Sequence, residues 1–303
     1  MLRKALLYLS ERERARDLLL SLPTSRRLAG RFVAGEQLAD ALAAARRLNG
    51  QGFGVTLDYL GESVADEAEA KRAAEIYERS LGTLAADEAS ATISLKLTQL
   101  GLEIDEDLCA ENLERVVCRA DELNNFVRID MESSEHTEAT FRVFETVFAR
   151  RSNLGIVVQS YLRRSEADVE RLIRLGAPVR LCKGAYDEPA SIAFQRRSEV
   201  DANYILLMRR LLDAHVRPAI ATHDERMIEA TRRHASRRRM EPDEFEFQML
   251  YGVRRGYQAR LAREGYHMRI YVPYGGQWYP YLMRRMAERP ANLWFVARAV
   301  MGE

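Results

Sequence analysis

The chain has 303 residues, of which 47% are hydrophobic, enough to build a sizeable core. That length exceeds a typical small domain and suits one eight-fold β/α barrel of roughly 250 residues plus an appendage. Lys and Arg (46) balance Asp and Glu (45), so a net charge of +1 offers no overall field for nucleic acid, and function must come from a local site.

Three cysteines (Cys109, Cys118 and Cys182) are too sparse for a disulfide framework, and no Cys or His spacing matches a zinc site. No metal is expected, and a reducing, cytoplasmic setting is the default. No apolar run reaches the roughly 18 residues that a membrane-spanning helix needs. Near the N-terminus, Ser10-Glu11-Arg12-Glu13-Arg14 argues against a targeting peptide.

Residues 1–50 read as an N-terminal helical segment rich in Leu, Ala and Arg, and residues 51–303 as the barrel domain. Pro23 ends the first helix. A second runs from near Gly35-Glu36 to Asn49-Gly50. Gly50-Gln51-Gly52-Phe53-Gly54 invites a dinucleotide-loop reading, but a helix rather than a strand precedes it and no glycine-led helix follows. It reads as a turn into the first strand.

From there short β-branched or apolar runs alternate with helical ones. The predicted strands are Val55–Asp58, Thr92–Leu97, Phe126–Asp130, Gly155–Gln159, Val179–Cys182, Ala219–Thr222, Phe245–Met249 and Arg269–Val272. The predicted helices are Asp66–Ser80, Asp105–Asp121, Thr137–Arg150, Glu166–Leu175, Asp201–His215, Asp224–Arg237, Arg254–Glu264 and Gln277–Glu288. Regular alternation with no domain break favours an α/β fold closed as a (β/α)8 barrel of TIM type over an open doubly wound sheet.

The active site of such a barrel forms where its strands end. Those ends are polar: Asp58, Lys96, Asp130, Gln159, Arg180 with Lys183, Thr222-His223-Asp224, Gln248 and Tyr271. Taken singly each has a structural explanation. Lys96 and Asp130 suit an ion pair, His223 a helix cap, and Cys182 core packing. Convergence on one mouth argues for a ligand, because a buried unpaired charge costs several kcal/mol by order of magnitude. Lys96, Arg180, Lys183, Arg284 and Arg285 outnumber Asp130 and Glu62 there, which suits a carboxylate or pyrophosphate. Lys183-Gly184-Ala185 would let backbone and ammonium approach a phosphate. The last helix carries Tyr281, Arg284 and Arg285, and its loop could place it over the mouth.

With these residues in place, the chain resembles the proline dehydrogenases. The resemblance is to the short bacterial monofunctional type and to the dehydrogenase domain of bifunctional proline utilisation proteins. It rests on the stretches Leu57–Glu62, Ser94–Thr98, Arg128–Glu132, Val158–Leu162, Arg180–Tyr186, Ala221–Asp224, Glu246–Gly252 and Tyr281–Arg285, in family order from about residue 50 onward.

The resemblance implies FAD across the barrel mouth beneath the last helix, and oxidation of L-proline to Δ1-pyrroline-5-carboxylate by hydride transfer to flavin N5. It assigns Met131, Gln159, Lys183, Gly184, Ala185, Thr222, His223, Gln248 and Glu288 to the flavin nucleotide. Arg180 is placed near N5, and Asp130 beside Lys96 and the flavin; these two form the catalytic pair. Lys96, Arg284 and Arg285 would hold the proline carboxylate, while Tyr271, Tyr281, Leu181 and Tyr186 would pack round its ring. Glu62 would be a gate that pairs with Arg284. The implied acceptor is a membrane quinone, with peripheral contact at the inner membrane and hand-off of product to pyrroline-5-carboxylate dehydrogenase. The helix bearing Leu2, Arg3, Lys4, Leu6 and Leu9 is a candidate interfacial element, although packing on the barrel is the favoured explanation. Cys182 and a shorter loop between Tyr271 and Arg284 depart from the commonest pattern, without touching a charged role.

Three rival readings compete. A non-catalytic binding module on a degenerate barrel is opposed by the intact polar set at all eight strand ends. A Schiff-base aldolase would use Lys96, but a neighbouring carboxylate raises a lysine pKa and disfavours that role. Nucleic-acid binding would use Arg232-Arg233 and Arg237-Arg238-Arg239, which reads as a solvated helix face.

Overall fold

The computed structural model describes residues 30–61, 63–87 and 89–288, with side chains as far as Met283. The first expected helix, the Leu2–Leu9 element within it and Glu62 therefore lie outside the described residues.

Helix α1 (Leu38–Asn49) leads into β1 (Gly54–Tyr59). The β/α rhythm then continues without interruption: α2 (Glu67–Ala86), β2 (Thr92–Leu95), α3 (Glu106–Glu122), β3 (Val127–Ile129), α4 (Ser134–Phe148), β4 (Leu154–Gln159), α5 (Ser165–Arg174), β5 (Val179–Cys182), α6 (Arg197–Asp213), β6 (Ala219–Ala221), α7 (Glu225–Arg238), β7 (Glu246–Leu250), α8 (Arg255–Arg263), β8 (Met268–Tyr274) and α9 (Trp278–Glu288). The strands pair in parallel in chain order, and β8 pairs with β1 from Gly54↔Arg269 to Tyr59↔Tyr274. The expected (β/α)8 barrel is what forms.

Local chemistry fixes the helix starts. Asp66, Asp105 and Asp224 each accept a backbone N–H from the first turn of α2, α3 and α7, which satisfies donors that the helix itself cannot. Helix α1 buries Ala41, Leu42, Ala44, Ala45 and Leu48, an i, i+3, i+4 stripe that packs against β8 and β1 at the seam where the barrel closes.

Strand alternation sorts the wall into two faces. Val55, Leu57, Ile93, Leu95, Ile129 and their counterparts face the helices and are fully or nearly buried. The inward set is polar. In its N-terminal half Arg269 donates from Nε to Glu246 Oε2 at 2.9 Å and from Nη1 to the Val55 carbonyl at 2.8 Å. Arg128 donates to the Pro178 carbonyl at 2.7 Å, and Gln248 donates to Glu246. Burial pushes the Glu246 carboxyl up, but Arg269, Gln248 and Arg128 outweigh it and leave the group below its ordinary value.

Glycines make room for this ionic plug. A Cβ on Gly155 would stand 2.6 Å from Arg128 Nη1 and 2.7 Å from the Pro178 carbonyl oxygen. Gly155→Ala is expected to destabilise by about 1–3 kcal/mol through overpacking. Gly82→Ala, in α2 with only Arg119 Nη2 at 3.6 Å, is expected to stabilise by up to about 1 kcal/mol. Chemical denaturation of the two variants beside the parent checks both signs.

Candidate active site

The C-terminal half of the barrel interior is organised by carboxylates. Asp130 follows β3, and its Oδ1 accepts from Arg180 Nη1 at 2.6 Å and from Ser94 Oγ at 2.9 Å. Its Oδ2 accepts from the Tyr271 hydroxyl at 2.6 Å. Arg180, on β5, also donates to Ser94 Oγ at 3.1 Å, and its guanidinium lies 5.3 Å from the Tyr271 ring centre. One carboxylate thus ties together side chains from β2, β3, β5 and β8. Burial, with Asp130 and Asp58 close by, pushes the Tyr271 hydroxyl well above its ordinary pKa, so it remains a proton donor to Asp130.

Lys96 is paired with Asp58, Nζ to Oδ1 at 3.4 Å, with 8% and 1% of the two residues exposed. Burial pushes the Asp58 carboxyl up, and the adjacent Lys96 offsets this only in part. Asp58 was read as one of the polar strand ends but was given no role of its own. Its strand parity with Thr56, which bonds across to Thr92, places it inside, so alternation alone could have marked it.

Beyond β4, Gln159 donates from Nε2 to the Met131 carbonyl at 3.2 Å. Among the described residues its Oε1 has no partner, nor does Nε of Arg180, although the two residues are only 5% and 4% exposed. Lys183 sits between two carboxylates, 2.5 Å from Asp201 and 2.8 Å from Asp224. Arg226 reaches the same pair, 2.6 Å from Asp201 and 3.0 Å from Asp224. Burial opposes the Asp224 charge, but hydrogen bonds from Arg226 and Lys183 hold its carboxyl far below the usual range. Thr222 accepts from the Asp224 N–H at 3.1 Å. His223 Nε2 accepts from the Leu250 N–H at 3.0 Å, which leaves Nδ1 to carry the proton of the neutral ring.

Asp130, Arg180, Tyr271, Lys96, Met131, Gln159, Lys183, Thr222 and His223 therefore lie along adjoining strand ends. Gln248 sits lower, beside Glu246. Gly184, Ala185 and Tyr186 lie in the loop after β5, where the Tyr161 ring fills the space a Gly184 Cβ would need. Tyr281 is buried on α9. Leu181 is a correction. It alternates with the inward Arg180, is fully buried, and its carbonyl receives the Tyr204 hydroxyl of α6, so it faces the helices rather than a ring pocket. Cys182 is half-buried and packs against the main core cluster, as expected from its apolar neighbours. The side chains of Arg284, Arg285 and Glu288 lie outside the described residues. Asp201 and Ser94 were missed; Asp201 lies 18 residues after Lys183 with no local signal joining them.

A family profile described as "Proline dehydrogenase" matches residues 41–298. The chain belongs to the proline dehydrogenase family. It is 41% identical over 277 residues to "Proline dehydrogenase 2" of Bacillus subtilis, covering 91% of each chain. It is 38% identical over 304 residues to "Proline dehydrogenase" of Deinococcus radiodurans, covering 99% of this chain and 97% of that one. A solved structure of proline utilization A from Bdellovibrio bacteriovorus, described as inactivated by N-propargylglycine, superposes with a TM-score of 0.82 at 28% identity. That match covers 87% of this chain and 33% of the other, so this chain spans about a third of that protein. As an enzyme of the proline dehydrogenase type, it is an oxidoreductase of the first step of proline catabolism.

The Asp224 geometry gives a signed pH dependence. A carboxyl held low in the folded state contributes stability above its ordinary pKa, and loses it as pH falls through the carboxylate range. Asp224→Asn keeps the helix cap and removes the charge. The melting temperature of the variant should lie below that of the parent at neutral pH, and the gap should close below about pH 4. A gap that stays constant from pH 7 to pH 3 would contradict the assignment.

Proposed function

We propose that this enzyme oxidises L-proline to Δ1-pyrroline-5-carboxylate with FAD in the barrel mouth. The observation that carries the reading is a pair of buried polar atoms at the strand ends that have no partner among the described residues, the acceptor Gln159 Oε1 and the donor Nε of Arg180. A flavin edge presents both donors and acceptors, so it suits this set, and an orphaned buried donor or acceptor otherwise costs about 1–3 kcal/mol. When bound, FAD supplies the acceptor for the hydride that leaves the proline carbon next to nitrogen.

The protein's part is positioning. Arg180, fixed by Asp130 and Ser94, presents a guanidinium that cannot turn away. Such a preorganised charge stabilises negative charge developing nearby at no reorganisation cost. Met131, Gln159, Lys183, Gly184, Ala185, Thr222, His223, Gln248 and Glu288 are the proposed flavin contacts. Lys96, with Arg284 and Arg285, would take the proline carboxylate. Asp58, 3.4 Å from the Lys96 ammonium, supplies the opposite charge that a buried cation needs. Tyr271, Tyr281 and Tyr186 would pack round the ring. On the motif resemblance, a membrane quinone is the proposed terminal electron acceptor, reached by peripheral contact, and pyrroline-5-carboxylate dehydrogenase the recipient of product. Among the described residues no helix is long and apolar enough to cross a membrane.

The absorbance spectrum of the purified protein, repeated after anaerobic addition of L-proline, tests this. A flavin spectrum that bleaches with proline is expected; a colourless protein that takes up no added FAD would overturn the reading. Asp130→Asn, which weakens the hold on Arg180, is expected to lower kcat/KM for proline by about 100-fold, or roughly 2.7 kcal/mol, in steady-state assays.

A further inference from the structure

The loop between β5 and α6, residues 183–196, carries Lys183, Gly184, Ala185 and Tyr186, yet contains no helix or regular strand of its own. Its two ends are fastened to the segment after β4. The Tyr161 N–H donates to the Lys183 carbonyl at 2.9 Å, the Phe194 N–H donates to the Tyr161 carbonyl at 2.8 Å, and the Arg163 N–H donates to the Ile192 carbonyl at 2.9 Å. The middle of the loop reaches further, to the start of α4. Glu188 Oε1 accepts the Ser134 N–H at 2.7 Å, and Oε2 accepts the Ser134 hydroxyl at 2.5 Å.

This bond has a reason on both sides. The cap residue of α4, Ser133, makes no side-chain cap bond, so the first turn has a backbone donor to offer. A carboxylate from another loop supplies the acceptor, and its charge sits at the positive end of the helix. Helix α4 starts shortly after Asp130 and Met131, and the Met131 carbonyl already holds Gln159. Glu188 therefore ties the end of β3 to the loop after β5, across the end of β4. Tyr186 is two residues away, packed beside Tyr161, and Pro189 stiffens the chain on the other side.

We propose that Glu188 is a positioning residue, which clamps the β5–α6 loop against the N-terminus of α4 and so sets Ala185 and Tyr186 over the mouth. The inference rests on the flavin and proline reading of that mouth. Glu188 touches neither reactant; it acts through the backbone of the loop that does.

The test uses the full-length holoenzyme with Glu188→Ala, Glu188→Gln, Ser134→Ala and the Ser134→Ala/Glu188→Ala pair. Four quantities are read: amide exchange over residues 183–192, the Kd for FAD from fluorescence titration of apoprotein, and KM and kcat for proline. Glu188→Ala is expected to raise loop exchange and to weaken the FAD Kd or the proline KM by about tenfold, the scale of a charge-assisted hydrogen bond, with kcat held within about twofold. Glu188→Gln retains one acceptor oxygen and should fall between it and the parent. The double variant should be no worse than Glu188→Ala, because both changes remove one clasp. Unchanged loop exchange, additive losses, or a loosened loop with unchanged Kd and KM would each overturn the proposal. A parent protein that binds no FAD would sink the flavin reading instead, and the exchange difference alone would then decide whether the clasp exists.

Discussion

A charge taken into a dry barrel must bring its partner with it, and most of this interior follows from that requirement. Closing eight parallel strands turns every second side chain inward, and here those side chains include Asp58, Lys96, Arg128, Asp130, Arg180, Glu246 and Arg269. Three ion pairs join charges from different strands, one or two places apart round the barrel: Lys96 with Asp58, Arg180 with Asp130, Arg269 with Glu246. Removing one member would strand the other, so such a set resists piecemeal change. The barrel also divides along its axis. Toward the strand starts Arg128 and Arg269 spend their donors on carbonyls and Glu246, and the result is a plug. Toward the strand ends the pairing is incomplete among the described residues, with Gln159 Oε1 and Arg180 Nε left without partners there.

Much of this was legible in the sequence. All eight strands were placed to within two residues at each end, because β-branched runs between helical segments carry a strong periodic signal. The convergence of Asp130, Arg180, Lys96 and Gln159 was legible because polar residues recur at the strand ends of a barrel, and the structure gathers them at one end of its interior. The errors share one physical origin, the two-residue alternation of a strand. Leu181 was assigned to the ring pocket by its neighbourhood in a motif, but it stands between two inward positions and must face the helices. The partner expected for Lys96 was Asp130, whereas the ion pair is made by Asp58 one strand away. Register between strands decides that choice, and no single strand encodes it.

Other features were beyond any local reading. Lys183 was expected to meet a phosphate; it is held by Asp201 from α6 and Asp224 from the cap of α7. The ammonium arrives already aimed, and any anion must share it with two carboxylates. Glu188 and Ser134 are 54 residues apart and meet only because β3 and β5 flank β4. These contacts are set by topology, so they become visible only after closure.

The seam between β8 and β1 has an implication for how the chain reaches its folded state. Helix α1 lays its alanine and leucine stripe across both strands, yet one of them follows it directly and the other is more than two hundred residues downstream. On a ribosome α1 would emerge well before β8, with half of its docking surface still unmade. Its apolar face must wait, paired with β1 alone, until β8 arrives to complete the site. The order of synthesis thus makes the last strand the latch of the first helix, and the long separation between them is the kind of contact that slows a folding chain.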